Sequence, residues 1–290
     1  MTQTILLVRP NNDIAEINPF GAELRCWRAR GVELIRELDE NVWDRTAPVL
    51  FPIVGWTRNG EVRVNGRTYP LALHGFAWRK PFTVAERRDD FVRLVLTDDD
   101  DTRAHYPFAF RFEVLFQLGD GRLEQTLIVM NAGDRSLPYA CGLHPGFRWP
   151  FAGSTALHAI RFEKAERPEV PVIAPGGLFS QKTRAISLAG DVLPLDPTLF
   201  SNDALCFLNL ASKNLVFDNG AGARLHIALE DFPHIGLWTR PPAPYLCIEP
   251  WTGHGDPVGF TGDFFEKPSM RLLAPGAIAR HAATFALQGK

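Results

Sequence analysis

The sequence predicts an all-β protein built on one large antiparallel β-sandwich. Short segments in which apolar and polar residues alternate recur along the chain, and Gly, Pro, Asn and Asp separate them. Their apolar positions are rich in Val, Ile, Leu and Phe, whereas helical periodicity is scarce. A hydrophobic fraction of 46% over 290 residues supplies enough apolar surface for a continuous core, so we expect a folded chain.

Three pairs of segments predict β-hairpins. The clearest pair joins residues 108–118 to residues 122–131, where alternate phenylalanines precede a Gly-Asp-Gly turn at 119–121. Asn-Gly at 65–66 and Asp-Asn-Gly at 218–220 supply residues that tolerate positive φ, which predicts two further hairpins. We therefore expect the sheets to be largely antiparallel.

No linker, low-complexity tract or abrupt change of charge divides the chain, so we expect residues 1–290 to form a single domain. The Pro- and Gly-containing stretch 168–177 is the best candidate for a break, but similar strand patterns flank it. Between residues 98 and 107 the sequence becomes polar. We interpret its acidic run as a solvated loop with room for one short helical turn.

The charge and cysteine content exclude several classes of partner and site. A net charge of −2 gives no basic surface for nucleic acid or an anionic membrane, so a small neutral molecule is the expected ligand. The four cysteines contain no CxxC pair and are expected to be reduced, mostly buried thiols. The amino-terminal segment MTQTILLVRP has no basic region before a long apolar run, which predicts a cytoplasmic protein without a membrane span.

Three polar residues stand where apolar patterns end or break. His74, in HGFAW, precedes a glycine that permits close approach of a ligand or of backbone. His144 ends the segment YACGLH, and the proline after it favours an extended backbone. Glu249 ends YLCIE, and burial without a cation would raise its pKa towards that of a general acid or base at neutral pH. Each also has a structural explanation: a satisfied histidine, a His-Pro turn, or a glutamate paired with an arginine.

Aromatic residues accompany these three side chains in the sequence, and together they describe a carbohydrate pocket. Aromatic rings stack on the apolar faces of sugars, while a few polar groups fix the hydroxyls. The aromatic neighbours are Phe76, Trp78, Phe147, Trp238 and Trp251.

A metal centre is an alternative, because two histidines and one carboxylate can form a facial triad for iron. No HExxH or HxH pair supports it, and His254, in WTGHGDP, is equally well explained as a loop residue. The chain also lacks the GxSxG motif of nucleophilic hydrolases. We therefore predict neither a metal nor another cofactor.

Taken in order, the motifs HGFAW, GLHPGF and CIEPW resemble those of the aldose 1-epimerase (galactose mutarotase-like) family. PVLFPIVG before them, and Lys267 with LLAPG after them, extend the resemblance over nearly the whole chain. It is greatest to the bacterial branch of broadly specific or uncharacterised members. The resemblance implies a β-supersandwich with an open sugar cleft. It also implies a cofactor-independent isomerase that interconverts the α and β anomers of a monosaccharide.

The resemblance also implies roles for individual residues. His144 matches the general acid that protonates the ring oxygen, and Glu249 matches the base that removes the proton of the anomeric hydroxyl. His74 matches a histidine that hydrogen-bonds the substrate. Asp203, in SNDALCF, is similar to an aspartate that binds sugar hydroxyls, with a turn residue as the alternative. Trp251, beside the glutamate, is expected to contact the sugar.

One position departs from the family's pattern. Many relatives carry a sugar-binding arginine directly after the glycine of the LFPxxG segment, where this chain has Trp56. Arg58 would lie on the same face if the strand continued and would then replace that arginine. Alternatively, Trp56 adds a stacking surface and changes the choice of substrate.

Two other function classes remain open. A sugar-binding or regulatory protein on the same scaffold would keep the cleft without turnover, and a polysaccharide lyase or hydrolase would share the sandwich and the acid–base residues. The substrate is expected to be a monosaccharide or a sugar phosphate, since Arg79, Arg148 and Arg240 adjoin the site in sequence. We expect a monomer or a homodimer.

Overall fold

The structure of the protein is a computed structural model that describes residues 3–289. It is dominated by strands, most of them short. In chain order the strands are β1 (Ile5–Val8), β2 (Ile14–Asn18), β3 (Glu23–Ala29), β4 (Val32–Glu33), β5 (Val49–Leu50), β6 (Glu61–Val64), β7 (Arg67–Pro70), β8 (Thr83–Arg88), β9 (Phe91–Thr97), β10 (Phe110–Gly119), β11 (Arg122–Asn131), β12 (Leu137–Tyr139), β13 (Gly142–Leu143), β14 (Gly146–Arg148), β15 (Ala159–Phe162), β16 (Glu169–Ala174), β17 (Leu178–Ala185), β18 (Val192–Pro194), β19 (Leu205–Leu208), β20 (Asn214–Asp218), β21 (Arg224–Glu230), β22 (His234–Trp238), β23 (Tyr245–Trp251), β24 (Arg271–Leu273) and β25 (Ile278–Gln288).

Two large sheets form the sandwich. The first has nine strands in the order β18-β15-β20-β21-β25-β11-β10-β9-β8, and the second has the order β19-β22-β23-β13-β5 with β14 also paired to β23. A four-stranded sheet, β1-β2-β3-β4, and the two-stranded sheets β12-β24, β16-β17 and β6-β7 complete the described part of the chain. The paired strands β10 and β11, and β22 and β23, run antiparallel, as the all-β prediction requires.

The core lies between the inner faces of the two large sheets. Strand β10 turns Phe112, Val114 and Phe116 inwards with no exposed surface, as the alternation of its sequence predicts. Phe51, which follows β5, stacks on Phe112 with ring centroids 4.4 Å apart. This packing fixes the end of β5, from which the chain enters the candidate site.

The three predicted hairpins are confirmed. β10 pairs with β11 around the turn at 119–121, β6 pairs with β7 around Asn65-Gly66, and β20 pairs with β21. Asn65 and Gly66 both have positive φ, at 50° and 76°, which is why this turn needs those residue types.

The polar stretch 98–107 contains the one short helical turn for which the sequence left room, and its acidic residues Asp99, Asp100 and Asp101 are exposed to solvent as expected. A short helix, α1 (Asp100–His105), follows Asp99, whose side chain accepts a hydrogen bond from the Thr102 backbone N–H. The Thr102 hydroxyl accepts one in return from the Asp99 N–H, so a capping box stabilises this single turn and a half. Short 3₁₀ turns are found at Arg58–Gly60, Ala77–Arg79, Pro197–Phe200 and Phe264–Glu266.

Within residues 3–289, no helix has the length and apolar character to cross a membrane. The stretch that the sequence marked as a candidate break, 168–177, instead contains the whole of β16 and the tip of the β16–β17 hairpin. That hairpin reaches the candidate site.

Candidate active site

A cleft of about 770 Å³ opens on the side of β23 that faces away from the core. Loops around residues 43–50, 55–56 and 72–79, the β16–β17 hairpin and the segment 238–241 surround it. Its aromatic lining is formed by Trp43, Trp56, Trp78, Phe179, Phe200, Trp238 and Trp251. Aromatic faces with few polar groups between them are typical of sites for small ligands that are partly apolar, such as sugars.

Strand β23 places Glu249 at the floor of this cleft. Because strand side chains alternate, Leu246 and Ile248 join the main core while Cys247 and Glu249 point the other way. Glu249 is 2% exposed, so its carboxyl group is almost removed from solvent.

His144 reaches the same floor from the short connection between β13 and β14. Its backbone N–H donates to the Pro48 carbonyl at 3.1 Å, and the carbonyl of Pro145 accepts from the Ile248 N–H at 3.2 Å. The backbone on both sides of the His144 side chain is thus held by hydrogen bonds to the sheet that carries Glu249. His144 itself lies between β13 and β14, and its backbone is fixed by the hydrogen bonds on either side of it.

The imidazole and the carboxyl group are in direct contact. His144 Nε2 lies 3.2 Å from Glu249 Oε2. Burial lowers the pKa of His144 well below its ordinary value, and His74 adds to the shift. Burial raises the pKa of Glu249 well above its ordinary value, with Trp251 opposing and Asp203 adding to it. Both shifts favour the uncharged forms, so burial favours the arrangement with the shared proton on the carboxyl group over the imidazolium–carboxylate pair.

His74 stands beside the pair as a neutral hydrogen-bond donor. The Gly55 N–H donates to His74 Nδ1 at 3.0 Å, which leaves the ring proton on Nε2. Burial lowers the pKa of His74 to about 3, so the ring stays neutral at physiological pH. Its centroid lies 5.4 Å from that of His144. The next residue, Gly75, packs directly against the backbone of Phe51. A larger residue would not fit there, since its Cβ would stand 2.3 Å from the Phe51 carbonyl oxygen.

Asp203 and Trp251 also line the cleft. Asp203 is exposed and adopts a positive φ of 73°, and its carboxylate adds to the raised pKa of Glu249. The Trp251 ring lies over Gly142 and Gly236, where added Cβ atoms would stand 2.7 and 2.5 Å from it. Glycines at these two positions are therefore what lets the indole lie flat beside Glu249.

Trp56 forms a wall of the cleft and Arg58 does not reach it. The indole of Trp56 is 42% exposed and packs against Gly177 at the tip of the β16–β17 hairpin, where a Cβ would stand 1.9 Å from the ring. Arg58 begins a 3₁₀ turn, its N–H donates to Asp256 Oδ2 at 2.8 Å, and it lines a separate small pocket with Lys267. The continuous strand that would have put Arg58 on the same face as Trp56 is absent, because Arg58 begins a 3₁₀ turn. Arg58 therefore does not take the place of the arginine that many relatives carry.

Of the other residues that adjoin the three motifs in sequence, some line the cleft and others lie in the core or elsewhere. Arg79 and Arg240 line the cleft, whereas the Arg148 guanidinium donates to the Ile35 carbonyl elsewhere. Phe76 and Phe147 belong to the hydrophobic core, so their assignment to the pocket is wrong. Strand alternation and adjacency in sequence did not reveal which side of the sheet each of them faces.

The sequence analysis did not identify Trp43 and Arg36, which pack beside the His144–Glu249 pair or support the residue that does. The Trp43 ring lies 4.9 Å from the His144 ring and stacks on Tyr245 at 5.7 Å. Arg36, 5% exposed, donates to the Trp43 carbonyl at 2.9 Å and places its guanidinium 4.6 Å from the Tyr245 ring centre. An aromatic residue within the polar stretch DENVWDR was the available signal for Trp43.

Comparison with known proteins shows the family of this chain. The model of the aldose 1-epimerase family matches residues 3–284. The chain belongs to the aldose 1-epimerase family. It is 26% identical to the plasmid protein LacX of Lactococcus lactis subsp. lactis over 257 residues, which is 84% of this chain and 86% of that protein.

Solved structures of the family share the fold. A galactose mutarotase related enzyme from Lactobacillus acidophilus superposes with a TM-score of 0.89 at 27% identity, covering 99% of this chain and 98% of the other. A galactose mutarotase-like protein from Lactobacillus casei gives 0.91 at 26% identity, covering 99% and 100%. The predicted galactose mutarotase-like β-supersandwich is confirmed.

Proposed function

We propose that this protein is an aldose 1-epimerase that interconverts the α and β anomers of a monosaccharide. The observation that supports this most is the contact of 3.2 Å between His144 Nε2 and Glu249 Oε2 at the floor of an open cleft. Two proton-handling groups supplied by distant parts of the chain meet at one point, and His74 stands beside them. The role of each residue below is part of the proposal.

The reaction needs a proton taken from the anomeric hydroxyl O1 and a proton delivered to the ring oxygen O5. Ring opening gives the aldehyde, rotation about C1–C2 exposes its other face, and closure reverses both transfers. Glu249 takes the O1 proton and the protonated His144 donates to O5. Each transfer is general acid–base catalysis, typically worth about 10² to 10⁴ in rate, and it proceeds without a covalent intermediate.

Burial sets the resting state of the pair and the substrate changes it. The uncharged pair and the imidazolium–carboxylate pair hold the same single proton and differ by its position along the 3.2 Å contact. When the hemiacetal edge of the sugar enters, O1–H donates to the carboxylate and O5 accepts from the imidazolium. These hydrogen bonds favour the charged arrangement that burial alone disfavours.

The remaining lining residues orient the ring. The fixed Nε2–H of His74 and the exposed carboxylate of Asp203 bind hydroxyl groups. Trp251 and Trp56 supply apolar surfaces on which the sugar ring stacks. With Trp56 where many relatives have an arginine, we expect a choice of sugar that differs from simple galactose specificity.

The test is mutarotation of freshly dissolved α-anomers, followed by polarimetry or NMR. A panel of hexoses, pentoses and their 6-phosphates covers the neutral sugars as well as phosphates that Arg79 and Arg240 at the cleft would bind. We expect His144→Ala and Glu249→Gln each to lower the rate at least about a hundredfold. His226→Ala, on β21 outside the cleft, is the matched control and should keep the wild-type rate.

A protein that accelerates no sugar of the panel above the buffer rate would contradict the proposal. Calorimetric binding of a sugar without acceleration would select the alternative, a sugar-binding or regulatory protein on the same scaffold. The exposed indole of Trp56 in place of an arginine is the feature that this alternative would rest on.

A further inference from the structure

A third donor, the Cys247 thiol, stands beside the acid–base pair. Cys247 and Glu249 are two residues apart on β23 and so point to the same face of the strand. Ligand atoms of His144, Cys247 and Glu249 all lie within 4.8 Å of one another, and the three residues are buried. The family chemistry described above makes no use of this thiol.

An imidazole, a thiolate and a carboxylate make up a donor set for zinc. Zn²⁺ binds these groups at about 2.0–2.3 Å in a tetrahedron, which places ligand atoms about 3.3–3.6 Å apart. The His144–Glu249 contact of 3.2 Å is already close to this spacing. The thiol, whose ligand atom lies within 4.8 Å of the other two, would have to approach them by at most roughly 1.5 Å. The fourth position would face the cleft, open to water or to a sugar hydroxyl.

Charge balance favours a divalent ion at this depth. Burial raises the pKa of the Cys247 thiol and of Glu249, because each separate negative charge is costly there. One divalent cation neutralises one thiolate and one carboxylate, so the occupied site carries no net charge. An ion of higher or lower charge would leave a residual buried charge.

The hydrogen bonding around the three candidate ligands predicts that a metal ion would bind reversibly. His144 Nδ1 is buried and has no hydrogen-bond partner among the described residues, whereas metal-binding histidines usually donate this second N–H to an acceptor. The missing partner lowers the affinity below that of a structural zinc site. Such a site is filled only when the free metal concentration is high.

We propose that His144, Cys247 and Glu249 form an inhibitory site for Zn²⁺ or a similar borderline-soft divalent cation. The metal takes the imidazole nitrogen and the carboxylate that proton transfer requires, and it stands where the hemiacetal edge of the sugar would enter. Binding releases about two protons, one from the thiol and the one held by the pair. That the bound metal inhibits rests on the proposed epimerase function; that it binds does not.

Calorimetric titration of the chelator-treated protein with Zn²⁺ tests the binding. We expect one site per chain in the wild type and at least a tenfold weaker site in Cys247→Ser, since a hydroxyl is a poor zinc ligand. Cys141→Ser is the control, because this equally buried cysteine lies against Thr252 outside the cluster. Equal affinity in the wild type and Cys247→Ser, or no binding by the wild type, would overturn the proposal.

A second measurement needs no variant. Co²⁺ in place of Zn²⁺ should give the near-ultraviolet charge-transfer band of a thiolate-bound cobalt, and EDTA should remove it. A bound cobalt without that band would show that the thiol is not a ligand and would refute the site.

Kinetics then separate this inference from the epimerase proposal. Zn²⁺ should inhibit mutarotation competitively with the sugar in the wild type and at least tenfold more weakly in Cys247→Ser. If the protein shows the thiolate–cobalt band but no mutarotase activity, the metal site is supported and the proposed epimerase function is refuted. Mutarotase activity that Zn²⁺ leaves unchanged would sink the inhibitory role.

Discussion

Acidification should destabilise this protein through a histidine outside the proposed chemistry. His234 is 4% exposed on β22, and its Nδ1 accepts a hydrogen bond from the Asn209 N–H at 3.0 Å. Burial lowers its pKa from 6.5 to about 3, and His254 and Arg271 contribute to the shift. Protonation would make both ring nitrogens donors and break the bond to Asn209.

The direction and size follow from proton linkage. The unfolded state, with a pKa near 6.5, binds more protons than the folded state between pH 6.5 and about 3. The free energy of unfolding therefore falls as the pH falls through this window. One unit of pKa corresponds to about 1.4 kcal/mol, so between pH 8 and pH 5 this single histidine removes about 2 kcal/mol. A typical domain has only about 5–15 kcal/mol in all.

Urea denaturation of the wild type and of His234→Gln at pH 8 and pH 5 measures the effect. Glutamine keeps an acceptor for the Asn209 N–H but does not titrate. We expect the loss of unfolding free energy between the two pH values to be about 2 kcal/mol smaller in the variant. Identical losses in both proteins would refute the assignment of His234 as a buried neutral ring.

Three further predictions concern the cleft. If the acid–base pair acts with one shared proton, the dependence of kcat/KM on pH is bell-shaped, and a rate that only rises or only falls between pH 4 and pH 10 would contradict it. Gly177→Ala should raise KM because its Cβ would meet the Trp56 ring at 1.9 Å; Gly176→Ala, whose φ of 81° is equally strained but whose Cβ meets nothing within 4 Å, should not. Trp43→Ala should lower kcat/KM roughly tenfold, since aromatic contacts are worth about 0.5–1.5 kcal/mol each, and Trp43→Phe should restore most of it; equal rates in all three proteins would exclude a role for the ring.

Local patterns predicted the secondary structure well where the physical signal is itself local. Alternation in β10 and β11 and the Asn-Gly turn at 65–66 reflect a period and a backbone conformation that neighbouring residues decide. In the polar stretch 98–107 the short helical turn that the sequence allowed does form, because a capping box between Asp99 and Thr102 stabilises it.

The residues of the site also differ in how far local sequence could identify them. Glu249 was recognisable as a carboxyl group among apolar strand residues, and its strand neighbour Cys247 was bound to share its face. Arg58 was misplaced because the expectation extended a strand that ends before it, and a 3₁₀ turn redirects the side chain. Trp43 was missed because its loop is positioned by contacts with residues distant in sequence, among them the stacking of its ring on Tyr245 and the contact with the His144 ring.

By itself, the sequence determined which segments become strands, where the chain turns, and which side chains share a face. It also determined the family, through three motifs whose order survives without any coordinates. Only the tertiary structure decided that His144 and Glu249, more than a hundred residues apart, stand 3.2 Å from each other with a buried thiol alongside. Periodicity acts between neighbours in the chain, whereas distances between strands depend on how whole sheets pair and pack.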